Sequence, residues 1–469
     1  MPPKTSPPAS SPASPPSALK KLIVLCDGTW CGSETNTQSN IYRLAEMIGI
    51  DMTQGNPTRA EPILYQDQDT TRGTKACYFP GAGLGGTFLE YLFNGLTCSD
   101  IDRDCIDVYR YIVKEYTEEY EIWMFGFSRG AYTMRCVAGM INNCGILKRT
   151  NNAGALDLRL CDEVYKIYRS REPEDNPKAA RILEFKRLAS YDVCTPVKFM
   201  SVLDTVGGLG VPTLDAGIGV KFPGFYDRKV SSVVEKVYHA LSIHDRLLAL
   251  EPCRAVRDAT TQCGRPELEI HERWFPGCHY DVGRHRWRFL RNGSNWIESA
   301  VGRILNPLSN VIEPNNVLAD LVLKWMLESI RDHDPQSMVI QGIDARISQL
   351  VASMSGATRA DTGSGDIYGN VLAFGPAGKV WQVLSSLFPG QFSDLKVVIG
   401  VLLQTRDRRI SDSNTGLTLC DLDSPELGGR TMAECGWIVP KRYPSRTYEN
   451  FRTYLAIVDQ TVSTELSQS

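Results

Sequence analysis

Apolar residues along this chain fall into short continuous runs that alternate with longer periodic stretches. Residues 21–26 (KLIVLC) read as a strand buried on both faces, and Asp27-Gly28-Thr29-Trp30 ends it. Residues 40–48 place Ile41, Leu44 and Ile48 on one stripe and predict a helix. Short strands are expected at residues 63–65 and 76–79. Ser99-Asp100-Ile101-Asp102 has the form of a capping box and opens a helix with apolar positions 101, 105, 108, 109, 112, 113 and 116.

The run Ile122-Trp123-Met124-Phe125 predicts the next strand, and a helix follows it with apolar positions 134, 137, 138 and 141 and Gly145 as its C-cap. Residues 197–206 and 268–275 read as further strands. Residues 232–250 and 317–330 have helical periodicity. Strands alternating with helices predict an α/β fold of three layers with a mostly parallel central sheet. The pattern weakens after about residue 335. Residues 357–369 are rich in Gly, Thr, Asp and Ser and predict a mobile loop. Residues 379–388 return to one apolar face (Val380, Trp381, Val383, Leu384, Leu387, Phe388), suited to core packing or to a lid or membrane-contact helix. The expected organisation is a disordered Pro/Ser-rich leader at 1–19, a catalytic domain at 20–335 and a C-terminal lid, cap or accessory region at 336–469.

Composition narrows the function classes. The 469 residues are 42% hydrophobic and 22% charged, with a net charge of −3 and no long Lys/Arg block, so no nucleic-acid partner is expected. No apolar run approaches the ~20 residues of a membrane span, and the leader lacks the apolar stretch of a signal peptide. The 14 Cys are irregularly spaced without a C-x-x-C pair, and Cys26, Cys136, Cys144 and Cys194 sit in apolar elements. Buried, reduced thiols in a cytoplasmic protein are the expectation, with no metal and no cofactor.

The candidate chemistry centres on Gly126-Phe127-Ser128-Arg129-Gly130, directly behind an apolar strand and ahead of a helix. A G-x-S-x-G in that setting is a nucleophile elbow. The turn is tight enough to strain the serine, and the positions two before and two after it must lack side chains. A serine hydroxyl needs a base, and in this fold Asp or Glu and then His follow the serine along the chain. Among six His, His279 lies in a Pro/Gly-bounded loop just past the strand at 268–275. Asp204 closes the strand that starts at residue 197. The predicted catalytic set is therefore Ser128, Asp204 and His279. The oxyanion hole would use the Arg129 N–H with one from Gly28 or Thr29. Asp27, Phe127 and Asp281 are expected around the pocket.

Two other patterns are set aside. Gly81-Ala82-Gly83-Leu84-Gly85-Gly86 spells G-x-G-x-x-G but lacks the helix and downstream acid of a dinucleotide site, and reads as a pocket-rim loop. His239 and His244 lie five apart, one too many for a helical metal pair. His239 is expected to pack on the sheet, and His244 to face Asp245 or solvent.

Five separated segments, LCDGTW (25–30), GFSRGAYTMR (126–135), LDTVGG (203–208), WFPGCHYDVG (274–283) and LADLVLKWM (318–326), together resemble the catalytic domain of type VI secretion phospholipase-effector-like proteins over about residues 20–330. The resemblance implies an α/β-hydrolase-like fold, a triad at Ser128, Asp204 and His279, and hydrolysis of glycerophospholipid esters. Two departures flank the expected pocket. Arg284-His285-Arg286-Trp287 stands where further glycines are usual, and a long insert precedes Leu318.

The leading expectation is a serine hydrolase of lipid esters that works through an acyl-enzyme, with possible peripheral membrane contact. Hydrolysis of soluble esters or thioesters and a non-catalytic scaffold that keeps the fold are the alternatives. A weaker one is a metal-dependent hydrolase using Asp27, Asp204, His279 and Asp281.

Overall fold

The computed structural model describes residues 19–29, 31–32, 37–54, 62–67, 73–81, 101–148, 158–207, 213–214, 220–221, 229–247, 250–257, 268–286, 313–356, 408 and 418–419. Eight strands make the main sheet: β1 (Lys20–Cys26), β2 (Ile63–Gln66), β3 (Lys75–Phe79), β4 (Tyr120–Phe127), β5 (Val197–Leu203), β6 (Val234–Ser242), β7 (Glu269–Phe275) and β8 (Thr418–Leu419). The helices are α1 (Asn40–Ile48), α2 (Ile101–Glu115), α3 (Ser128–Cys144), α4 (Leu158–Arg169), α5 (Ala180–Ala189), α6 (His279–Gly283), α7 (Asn316–His333) and α8 (Ile343–Gly356).

The spatial order is β8-β7-β6-β5-β4-β1-β3-β2. All neighbours are parallel except β2, which pairs antiparallel with β3. The chain leaves β1 towards β3, then returns to the other side of β1 as β4. That reversal makes a topological switch point, the place in open α/β sheets where ligands bind at the carboxyl ends of the strands. Register lines those ends up: Cys26 faces Gly126, Phe127 faces Leu203, and Leu203 faces Ala240. Asp27, Ser128 and Asp204, each the residue after its strand, therefore emerge along one edge.

Alternation along the strands splits the apolar residues into two cores. Leu22, Val24, Ile122 and Met124 pack with α2, α3 and α4. Ile23, Leu25, Trp123, Phe125 and Phe127 pack with α1, α7 and α8 on the other face. The result is the three-layer, mostly parallel α/β arrangement that the sequence predicts. Local signals set the helix ends. Ser39 caps α1 by accepting the Tyr42 N–H, Gly49 closes it at φ 112°, and the Gly145 N–H caps α3 on the Ile141 carbonyl.

Three expectations need correction. The helical period at 232–250 belongs to a strand, β6. Hydrogen-bonded between β5 and β7 and buried on both faces in its second half, β6 has no polar face to impose the two-residue alternation of a strand. The strand from Val197 stops at Leu203, because Asp204 turns the chain at φ 40°. Cys194 is exposed, in the turn ahead of β5, whereas Cys26, Cys136 and Cys144 are buried. All ten described cysteines are free thiols. The leader, the loop at 357–369, the apolar stripe at 379–388, Ser99-Asp100 of the capping box and Ala82 to Gly86 lie outside the described residues.

The apolar core continues past residue 335: Val339, Ile340, Ile343, Ile347, Leu350 and Met354 join the face covered by α7. Ile340 is fully buried there, so Ile340→Ala is expected to cost about 2–5 kcal/mol, read as a lowered urea midpoint at unchanged slope.

Candidate active site

The site grows out of a steric constraint at the end of β4. Ser128 is held at φ 57°, a left-handed conformation that costs a non-glycine residue on the order of 1–3 kcal/mol. The two flanking glycines explain why the turn can close. A Cβ on Gly126 would lie 2.6 Å from the Ala131 Cα, and one on Gly130 would lie 2.3 Å from the Cys26 carbonyl oxygen. The same closeness pins the start of α3 against the end of β1.

His279 opens α6 and reaches back to this turn. Its Nε2 is 2.8 Å from the Ser128 Oγ, and its Nδ1 is 2.7 Å from Asp204 Oδ2. Ser128, Asp204 and His279 are all buried. The ring of Phe127 stacks on the imidazole, with centroids 4.8 Å apart and planes 28° from parallel. Behind it, Gly28 and Gly283 press on that ring so closely that a Cβ on either would fall inside its van der Waals shell. Phe127 is thus a buried platform for His279.

The loop that carries His279 is tied down from several sides. The His279 N–H donates to Asp245 Oδ2 at 3.0 Å, and the Gly277 N–H donates to His244 Nδ1 at 2.9 Å. Gly277 itself sits at φ 99°. Asp281 accepts the Cys278 N–H on one oxygen and the Asn315 N–H on the other, both at 2.7 Å, and so joins this loop to the start of α7. Asn40 donates to the Val282 and Ala319 carbonyls, which brings α1 into the same joint. Asp281 is fully buried and occupied, which makes it a joint between elements rather than a pocket wall.

Asp27 has a comparable role. It is buried and accepts the Gly28 N–H at 2.7 Å, the Ser39 hydroxyl at 2.5 Å and the Tyr78 hydroxyl at 2.7 Å. Burial pushes its carboxyl up to about 6, against the pull of those three hydrogen bonds. Gly28, expected as an oxyanion donor, spends its N–H on this carboxylate. Thr29 is the next residue on the loop, and its hydroxyl accepts from Arg129 Nε, so the loops after β1 and β4 meet at these two side chains.

Asp204 is the most heavily bonded carboxylate of the site. Besides His279, it accepts the Ser242 N–H at 2.9 Å and the Ser242 hydroxyl at 3.1 Å. Arg408 donates Nη1 to Oδ1 at 2.7 Å and Nη2 to Oδ2 at 2.9 Å. Burial alone would raise the Asp204 carboxyl. The Arg408 guanidinium and His279 outweigh it and hold the group far below the ordinary carboxylate range. Nothing around position 408 marks this arginine in the sequence.

The other histidines are structural. His239 lies in the sheet, as expected, facing the Thr205 N–H and Glu272. His244 is buried rather than turned to solvent, because its ring holds the Gly277 N–H. Burial, then the nearby Arg408, push it down to about 3. His285, one of the departures from the family's glycines, is also buried and lies edge-on to Phe127. Among the described residues, no group of three or more His, Cys, Asp or Glu is arranged to hold a metal ion, and no helix is long and apolar enough to cross a membrane.

A mostly parallel sheet with helices on both faces, an elbow serine after a central strand, and Asp then His following it in chain order define the α/β-hydrolase fold. Within that class, the chain belongs to the family of T6SS phospholipase effector Tle1-like catalytic domains, whose model matches residues 20–329. A curated relative, "Uncharacterized protein YEL023C" of Saccharomyces cerevisiae, is 24% identical over 241 residues. The match takes in 50% of this chain and 33% of that protein, so the chain spans about a third of the relative's length. Among solved structures, an uncharacterized protein from Pseudomonas aeruginosa is similar at 15% identity and TM-score 0.33, covering 72% of this chain and 50% of that one. The Tle1 effector bound to the VgrG spike of the Type 6 secretion system is similar at 13% identity and TM-score 0.32, covering 76% and 84%.

A prediction follows for acid stability. An unfolded His244 titrates near 6.5 and the folded one near 3, so between those values the unfolded chain binds a proton that the folded chain refuses. Stability from the neutral ring is present above 6.5 and is lost as pH falls. His244→Asn keeps an acceptor for the Gly277 N–H without titrating. It is expected to lose on the order of 1–2 kcal/mol less than the wild type between pH 7 and about pH 5, measured by thermal melts at each pH.

Proposed function

We propose that this protein is a serine hydrolase of carboxylic esters, with lipid esters as the substrate class, working through a Ser128-Asp204-His279 triad. The observation that carries this reading is the continuous relay from the Ser128 Oγ through both nitrogens of His279 to Asp204, at 2.8 and 2.7 Å, with the serine on a strained elbow. The choice of lipid esters rests on membership of the phospholipase effector family.

In this mechanism, the Ser128 Oγ attacks the ester carbonyl while His279 Nε2 takes its proton. Asp204 accepts the Nδ1–H, sets the tautomer and stabilises the imidazolium. The tetrahedral oxyanion is met by the Arg129 N–H at the start of α3, whose N-cap Phe127 offers no side-chain cap, and by the Thr29 N–H across from it. The C–O bond to the alcohol then breaks, and His279 returns the proton to the departing alkoxide. Water, activated by the same imidazole, attacks the acyl-enzyme, releases the acid and restores Ser128.

Phe127 contributes a flat apolar support that keeps the imidazole from turning, while Asp27 and Asp281 hold the surrounding loops. The apolar face at 379–388 is proposed to give peripheral contact with a membrane surface, and the free thiols support a reducing, cytoplasmic setting.

Ser128→Ala is expected to abolish labelling by a fluorophosphonate probe and to lower hydrolysis of p-nitrophenyl butyrate and of phosphatidylcholine vesicles by at least about a thousandfold. Turnover at the wild-type level in that variant would refute the triad. Trp381→Asp is expected to reduce binding to phosphatidylcholine liposomes in a sedimentation assay, and unaltered binding would remove the membrane role.

A further inference from the structure

Besides its bond to His279, Asp204 carries a cation, Arg408. The guanidinium of Arg408 lies across both oxygens in a two-pronged contact, at 2.7 and 2.9 Å. The same Nη1 reaches the Ser242 carbonyl at 2.7 Å and the Ser242 hydroxyl at 2.6 Å, and Nη2 reaches the Leu250 carbonyl at 2.6 Å. Arg408 is itself buried. It also lies outside residues 20–329, the stretch matched by the family model.

Elementary electrostatics says why a cation belongs there. Asp204 has no solvent exposure, and a neutral imidazole does not balance its charge. A lone buried carboxylate takes up a proton rather than bear its desolvation. A protonated Asp204 would turn an O–H donor towards His279 Nδ1, where the triad needs an acceptor for the Nδ1–H. A planar guanidinium prevents this and fixes the carboxylate plane at the same time, since a fork on two oxygens allows one orientation. In that orientation Oδ2 faces the imidazole at 2.7 Å.

We propose that Arg408 is a positioning residue for the hydrolytic reaction, acting through Asp204 on His279, so that the site is complete only with this guanidinium seated at the ends of β5 and β6. The proposal rests on the triad reading above. It assigns to a residue beyond the matched family domain a part in the chemistry of that domain.

The test uses the full chain and a fluorophosphonate probe, with the maximal labelling rate and the probe's half-saturating concentration measured separately. Arg408→Met is expected to slow the maximal rate by about 10- to 100-fold while half-saturation stays near wild type, the range seen when a partner behind a catalytic ligand is lost, and to lower the melting midpoint because Asp204 is left buried without its cation. Millimolar guanidinium is expected to restore part of the rate, and the same concentration of sodium chloride is not. A wild-type rate in Arg408→Met overturns the proposal. So does a slowed rate that guanidinium does not raise above the salt control, which would make Arg408 a structural clamp only. If Arg408→Met does not fold, Arg408→Lys keeps the charge without the fork. A rate lowered about tenfold at a near-native melting midpoint then supports the proposal, and a wild-type rate overturns it. Absence of Ser128-dependent labelling in the wild type is a separate result: it refutes the hydrolase reading, and the role of Arg408 falls with it.

Discussion

The structure depends on how closely the end of β4 and the start of α3 approach the end of β1. Ser128 can be held at φ 57° only because nothing but hydrogen stands at Gly126 and Gly130, so that the turn presses against Ala131 on one side and the Cys26 carbonyl on the other. That approach fixes the helix over the sheet, aims the hydroxyl along the carboxyl edge and leaves the first N–H groups of α3 without a side-chain cap. The apolar faces of β1 and β4 are what make the approach possible. Each strand carries alternate residues into two separate cores, and the sheet between them cannot shift without opening both.

Around that fixed point, buried carboxylates do the work of arranging loops. Asp27 organises the turn after β1, Asp204 the turn after β5, and Asp281 the joint between α6 and α7. All three are within a few residues of a strand or helix end, where backbone N–H groups lack partners in the regular structure. Each has its own donors, and Asp204 is matched with the guanidinium of Arg408.

Much of this was legible from residue order. The β1, β4 and α7 patterns were long and one-sided enough to identify their elements, and the glycine spacing around Ser128 implied a steric requirement that the backbone meets. The positions of Asp204 and His279 followed from chain order combined with strand ends. Other features had no local signature. β6 is buried on both faces in its second half, so its apolar residues carry no alternation, and a helical period fits them by accident. His244 and His279 both lie at strand ends, and only the folded loop distinguishes the ring that supports Gly277 from the one facing Ser128. Gly28 reads as available because a sequence does not reveal that the Asp27 carboxylate accepts the Gly28 N–H. Arg408 is invisible for a different reason: its partner is 204 positions away, and one arginine of the charged run Arg406-Asp407-Arg408-Arg409 resembles any surface residue.

Phe127 occupies one of the two places in G-x-S-x-G whose identity the motif leaves open, yet its freedom here is small. Its ring is enclosed by Gly28 on one loop, Gly283 on another and the imidazole of His279. These positions come from three distant parts of the chain and share a single volume. A larger residue at either glycine is tolerated only if the ring shrinks, and a smaller ring leaves a void beside the imidazole unless a glycine grows to fill it. The three positions therefore share one steric constraint, and a change of size at one is accommodated only by an opposite change at another.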